Sequence, residues 1–558
     1  MVINIDNITL LRLENGSLED VKNILNHFID QHSKTFSFSE LNTDDRRKKF
    51  WTLLFSHLDK PSSAFCHRHC LACVRMLSRD KTDIEDLCCE KWMNILLYHA
   101  GLVPQEQAML MSSVPMDNYD VVQEALKCLC NLVYNCVRAQ KLCSNNHTIE
   151  AIMTRLRTYG DPHIPDEIKF FDMKMLFLLT ALCPHVRPRL TVELHGITYL
   201  MEILDLILKD ASGEDSTERR SHVSQTISLT VQQVNLASEV LKVLFNLTVK
   251  TTMSTGEDEE DTHFLRLESI LHDLLLCEVE PASNKEALHN HVVNLLTTMP
   301  SSCHQELLTT FTVDIPKELD FEGHNMEAMA VLLQFLDDRL SQTQNTQSLQ
   351  ERLSPILSVL LECANGHRVL RKYLKWRILP PLKDVHRRPE EGETLRNKLC
   401  RLLTTPVNNV RDLVAELLFV LCKESVQRMI KYTGYGNAAG LFANRKILSR
   451  NHTPVHENYS SDSDSETEEY SQYKAQINPV VGCYEPPRPD PLANMTEEQK
   501  EYEAMQLVNM MDKLHRQGIV QPCRIGEDGR PEPVEHILQL QDSPLPPQAM
   551  AQNKNGKN

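Results

Sequence analysis

Glycine is scarce in this chain, with 17 in 558 residues, near half the usual ~7%. Sheet-rich enzymes that cradle phosphates on glycine loops use far more. Long apolar runs are also missing. The longest, around Met175 to Leu182, falls far short of the ~20 residues that span a bilayer. Positive charge is in deficit: 59 Lys and Arg against 76 Asp and Glu leave −17, whereas nucleic-acid binding needs a basic excess. The 17 cysteines, an odd number, follow no framework spacing. The opening MVINIDNITLLRLENG lacks the basic region and cleavage site of a secretory signal. These absences predict a soluble intracellular protein with free thiols.

What the chain does contain is helix. From about residue 18 to 432, leucines recur at three- and four-residue steps, as in ALKCLCNLVYNCV (125–137) and LVAELLFVLC (413–422). Short polar or acidic stretches are expected to break the pattern at 210–220, 254–263 and 341–350. EALKCLCNL (124–132) and EVLKVLFNL (239–247) share E-x-L-K-x-L-x-N-L at an offset of 115 residues. That offset is close to three periods of ~40 residues, and HVVNLL (291–296) is a fainter third copy. A repeated helix of this kind must stack on its neighbours to bury its apolar stripe. The expected fold is all-α, an armadillo/HEAT-type solenoid over residues 1–432.

Composition changes after residue 432. Residues 451–558 carry 9 Lys and Arg against 18 Asp and Glu, half the excess negative charge in under a fifth of the chain. Residues 433–492 are expected to form a turn and a flexible acidic linker, and 518–558 a disordered C-terminus. Between them, Thr496 and Gln499 make a capping-box pattern, and Ala504, Leu507, Val508, Met511 and Leu514 form one stripe. An amphipathic tail helix is expected within 493–517.

Several motifs suggest chemistry and fail on context. Cys66, Cys70 and Cys73 have the spacing of a radical-SAM iron–sulfur loop, but run straight into a helical pattern. Buried core is the favoured reading, because cysteine is among the most buried residue types. Gly434, Gly436 and Gly440 resemble a dinucleotide fingerprint one residue too long and follow a helix where a strand is required, so a helix-ending turn is expected. No nucleophile stands beside a base, and no metal or cofactor is expected. Arg368, Arg371, Lys372 and Lys375 share one side of a helix, either a solvated face or a site for a carboxylate or acidic helix. Arg75 and Arg79 carry the same ambiguity. Asn131 and Asn246 suit either a peptide-binding amide or a satisfied structural one.

Six segments carry a resemblance to the synembryn family, the cytosolic chaperones and exchange factors for G-protein α subunits. They are VRMLSRD (74–80), ALKCLCNLV (125–133), FFDMKMLFLLTAL (170–182), ILPPLKDVHRRPEEGETLRNKL (378–399), RMIKYTGYGNAAGLFA (428–443) and MTEEQKEYEAMQLV (495–508). The resemblance implies a monomer of the cytoplasm and cell cortex that binds GDP-bound or nascent Gα. It implies a groove for the Gα C-terminal helix at Arg75, Arg79, Asn131, Arg371 and Lys375, and a tail-helix contact through Leu507, Val508, Met511 and Leu514. Phosphorylated positions of the family align with Ser460 and Ser465, in a tract that an acidophilic casein-type kinase would read. Two other classes stay open: an armadillo adaptor that binds a helical peptide without affecting nucleotide, and, remotely, an enzyme using the cysteine cluster.

Overall fold

Caps written in the sequence start several helices. The Ser17 side chain accepts from the Asp20 backbone N–H, and Thr230 with Gln233 forms a reciprocal capping box. In this computed structural model, residues 5–104, 118–213, 227–249, 257–310, 316–342, 346–445, 466–486, 495–517, 523–525 and 531–533 are described. Eight helices form the spine: α1 (Leu18–His32), α2 (His67–Leu77), α3 (Tyr119–Asn135), α4 (Asp166–Leu182), α5 (Val231–Thr248), α6 (Ala282–Leu296), α7 (Thr346–Gly366) and α8 (Asn408–Leu421). Each packs on the next in chain order. Intervening helices such as Arg46–Leu58, Glu90–His99, Gly196–Ser212 and Glu327–Ser341 pack onto this spine as a second row. The result is an all-α solenoid.

Burial explains why the stack forms. Leu126 and Leu129 of α3, Leu176 and Leu179 of α4, and Leu241 and Leu244 of α5 are fully buried. Each such leucine contributes about 1.5–3 kcal/mol. The repeat spacing differs from expectation. Its two copies lie on α3 and α5 with only α4 between them, so the 115-residue offset is two steps. Helix starts at 119, 166 and 231 give steps of 47 and 65 residues, because second-row helices and loops vary in length. The fainter copy lies on α6, next in line. Two expected breaks also contain helix starts, at Glu257 and Thr346. Acidic and polar residues suit a first helical turn as well as a loop.

The cysteine motif belongs to the core. Cys70 and Cys73 are buried within α2, and Cys66 is buried immediately before it. Burial pushes all three thiols up, away from the reactive thiolate. The glycine motif ends one helix, Val426–Thr433, and begins another, Tyr435–Asn444. Gly434 sits between them at φ +75°. There the chain returns: Tyr435 and Gly436 N–H groups donate to the Pro479 and Val480 carbonyls at 2.8 and 2.9 Å. A Cβ on Gly434 would meet the Gly482 nitrogen and Val480 oxygen at 3.1 Å, so the close approach requires glycine.

The chain forms two compact units, one of residues 1–472 with 478–483, the other of 473–477 with 484–558. Parts of the expected linker therefore belong to the solenoid. Thr467 Oγ1 donates to the Leu382 carbonyl, and Tyr470 is buried with Lys431 Nζ 4.7 Å from its ring centre. In the second unit, the tail helix runs Glu497–Arg516 with the Thr496–Gln499 capping box in place. None of its residues is buried, and Leu507 is exposed while Val508, Met511 and Leu514 are half-buried. The C-terminus expected to be disordered contains a paired strand segment, Cys523–Ile525 antiparallel to Pro531–Pro533. Three-residue strands are too short for alternation to show.

One buried ion pair fixes the second row to the spine. Asp172 of α4 is 0% exposed and accepts from both Arg155 Nε at 2.8 Å and Tyr159 Oη at 2.9 Å. Arg155 Nη2 closes the bidentate pair, and its Nη1 reaches the Ala100 carbonyl at 2.7 Å. Asp172→Ala would leave a buried, uncompensated guanidinium and should cost about 3–5 kcal/mol in urea denaturation, with Asp172→Asn costing less.

Candidate functional site

The repeated motif places Glu, Lys and Asn at steps of three and four, hence on one side of each helix. On α3, Lys127 Nζ donates to Glu124 at 2.9 Å; on α5, Lys242 Nζ donates to Glu239 at 2.7 Å. Each lysine also lies over a phenylalanine of α4. Lys127 is 5.5 Å from the Phe171 ring centre and Lys242 4.6 Å from that of Phe177, while Lys174 sits 5.4 Å from Phe170. Half-buried cations and aromatic rings thus run along three consecutive spine helices. Such a face offers apolar area and positive charge together.

Arg75 joins this face from α2. Its Nε donates to Glu124 Oε2 at 2.7 Å. Burial alone would raise the Glu124 carboxyl, but hydrogen bonds from Lys127 and Arg75, with their charges, hold it below the usual range. Arg79 donates to the Ser33 carbonyl at 2.9 Å and lies 5.3 Å from the Phe36 ring centre. Burial pushes its guanidinium pKa down, and the Arg75 charge adds to that. The turn carrying both arginines is fixed by Asp80, whose carboxylate accepts from Phe38 N–H at 2.7 Å and Thr82 N–H at 2.9 Å.

Asn131 and Asn246 make the same bond pattern one repeat apart. Asn131 Nδ2 donates to the Arg75 carbonyl at 3.1 Å and to Ser78 Oγ at 3.3 Å. Asn246 Nδ2 donates to Thr180 Oγ1 at 3.0 Å and to the Phe177 carbonyl at 3.5 Å. In both, the acceptors are a carbonyl and a hydroxyl three residues apart on the preceding spine helix. The amide nitrogens therefore cross-link the stack. This arrangement had no signal in the first copy alone; the equivalence of Ser78 and Thr180 appears only when the helices are superposed as neighbours.

Arg371 and Lys375 lie elsewhere, on the helix Arg368–Ile378 that follows α7. Arg371 Nη1 donates to the Ala364 carbonyl at 2.8 Å, closing the end of α7. Lys375 Nζ is 5.5 Å from the Tyr432 ring centre, and Lys372 donates to Glu322 Oε1 at 2.8 Å. Arg75, Arg79 and Asn131 thus form one cluster and Arg371 with Lys375 another, with α3 to α6 between them. The tail stripe belongs to the second unit, and Ser460 and Ser465 lie outside the described residues. Among the described residues, no group of three His, Cys, Asp or Glu side chains could hold a metal ion, and no helix is long and apolar enough to cross a membrane. What the arrangement can do is bind.

The spine is also sensitive to acid. Burial, with the Lys242 charge, lowers His291 to about 4; burial, with the Lys285 charge, lowers His289 to about 4. The unfolded chain takes up these protons near pH 6.5, before the folded one does. Their contribution is therefore complete above pH 6.5 and lost as pH falls toward 4. His289→Gln should flatten the fall of Tm between those values, by on the order of 1–3 kcal/mol in stability.

Residues 70–530 match the Ric8 family, described as guanine nucleotide exchange factor synembryn. Chaperone Ric-8 of Drosophila pseudoobscura pseudoobscura is 41% identical over 581 residues, covering 98% of this chain and 99% of that protein. Chaperone Ric-8A of Gallus gallus is 40% identical, covering 94% and 95%, and that of Mus musculus 40% identical, covering 95% of each. A solved structure, described as showing that a conserved phosphorylation switch controls the interaction between cadherin and β-catenin, aligns with a TM-score of 0.48. It is 12% identical and covers 80% of this chain and 71% of that one.

Proposed function

Because the chain belongs to the synembryn family of guanine nucleotide exchange factors, we propose that it chaperones nascent G-protein α subunits and releases GDP from folded ones. The observation that carries this reading is the extent of the family match, which runs from within α2 through the tail helix. In this reading the protein makes and breaks no covalent bond. Gα's last helix normally packs on its nucleotide domain, and the loop before it touches the guanine. Capture of that helix by the solenoid loosens the loop, GDP leaves, and the open state persists until GTP favours the closed Gα and ejects the solenoid. Acceleration is a population shift, limited by the difference in affinity for open and closed Gα. The same grip would shield apolar surface on an unfinished subunit.

Arg75 and Arg79 at one cluster, and Arg371 and Lys375 at the other, are the residues assigned to this grip, with Asn131 holding the first cluster in place. Their positive charge in an acidic protein, next to exposed apolar rings, supports a helix with a carboxylate end as ligand. Leu507, Val508, Met511 and Leu514 are assigned to holding the open Gα. The protein acts as a monomer in the cytoplasm and at the cell cortex.

GDP release from purified Gα–GDP tests the proposal: the full chain should accelerate it, and peptide binding without release would instead mark an adaptor. Arg371→Gln with Lys375→Gln keeps a donor for the Ala364 carbonyl, so folding should persist while Gα affinity falls by about 2–5 kcal/mol, tens- to thousands-fold. Arg75→Gln with Arg79→Gln should weaken binding independently, because distant sites add. Wild-type affinity in both variants, with normal melting, would remove these residues from the grip.

Regulation is proposed at Ser460 and Ser465. An acid stands three residues after Ser465, and Ser460 gains one once Ser463 is phosphorylated, the pattern of an acidophilic casein-type kinase. Each phosphate adds about −1.5 to −2 charges. Kinase treatment should tighten Gα binding and speed release in a salt-sensitive way, and Ser460→Ala with Ser465→Ala should remove the gain.

A further inference from the structure

Two arginines of the solenoid converge without a carboxylate bonded to either. Arg339, on the second-row helix Glu327–Ser341, is only 6% exposed. Its Nη1 donates to the Arg352 carbonyl on α7, its Nη2 to Asn290 Oδ1 on α6 at 3.1 Å, and its guanidinium stacks 4.2 Å from the Phe335 ring centre. These contacts fix the side chain and leave Nε buried with no acceptor among the described residues. Arg352 contributes two more such atoms, Nε and Nη1, while the residue as a whole remains half-buried. Three N–H donors from two permanently charged forks are therefore withdrawn from water and unmatched.

Such an arrangement is costly unless something compensates it, since an unpaired buried charge or donor forfeits its hydration. Glu286 approaches Arg339 and offsets part of the charge without a hydrogen bond, so the donors stay open. Elsewhere in the fold the half-buried and buried arginines are matched: Arg155 by Asp172, and Arg75 by Glu124. We propose that Arg339 and Arg352 form a binding site for a tetrahedral oxyanion of the phosphate class, entered past Arg352 and closed by Arg339 at its base. Two guanidinium forks suit an anion with several acceptor oxygens, and a divalent phosphate meets the pair's charge better than a monovalent carboxylate. The bound anion would sit where α6, α7 and the helix Glu327–Ser341 meet, and so lock three elements of the stack together. This site is separate from both basic clusters assigned to Gα.

Titration calorimetry and thermal melting of the full chain test it, with inorganic phosphate and O-phosphoserine as probes and acetate and chloride at matched ionic strength as controls. Saturable binding of phosphate with a rise in Tm, absent for acetate, is the expected result. Phosphoserine binding as well would show that a phosphorylated side chain can supply the anion; phosphate alone would restrict the site to the free ion. Arg352→Gln, at a half-buried position that folding tolerates, should weaken phosphate at least tenfold. Arg339→Lys keeps the charge but loses the fork and should weaken it similarly. Equal phosphate and acetate responses, or an unchanged affinity in Arg352→Gln, would overturn the site and leave the donors hydrated by ordered water.

Discussion

Mutual burial of leucine stripes between consecutive spine helices is the interaction on which everything else rests. No spine helix has a face that is apolar enough to stand alone, and each is completed by its neighbour. Such packing is non-directional and fixes proximity better than register. Register comes from polar cross-links: Asn131 and Asn246 each tie a carbonyl and a hydroxyl of the preceding helix, and Asp172 with Arg155 ties the second row to the spine. Arg75 and Lys127 keep their places on the shared face because Glu124 holds both. The geometry that would meet a ligand is thus set by the same bonds that align the stack.

Much of this was legible in the sequence, for identifiable reasons. Leucine spacing marked the helices, the Thr496–Gln499 pair marked the start of the tail helix, and the surroundings of Cys70 and Cys73 marked them as core. The repeat was visible as well, but its period was misjudged. Only spine helices with the asparagine cross-link share the motif, and α4 between them supplies the acceptors instead, so it has no copy of it. Partners of Arg371 and Lys375 were invisible because Ala364 and Tyr432 are reached through folding at unrelated spacings. The meeting of Arg339 with Arg352 is of the same kind, since no periodicity relates residues on successive helices of different rows.

A binding protein of this design acts through what it holds apart. The aromatic and cationic face has no arrangement for bond-making, and burial keeps most thiols protonated, as with Cys143 and Cys400, both pushed up to about 12. Work on a partner must then come from differential affinity for two of its conformations. A rigid stack suits that task, because a groove that deformed with its ligand would bind both conformations equally well.

The return of the chain to Gly434 and the seat of Thr467 on the Leu382 carbonyl have a topological consequence. Residues 446–465 leave the solenoid after Arg445 and rejoin it at Glu466, so the segment is a tethered ring and not a free arm. A single proteolytic cut within it would leave both fragments associated through the packed core on either side. A charged group added to it stays at an effective concentration set by the ring, whatever the dilution of the protein. Insertions are also tolerated cheaply, since doubling the ring's length costs only about 0.6 kcal/mol of closure entropy.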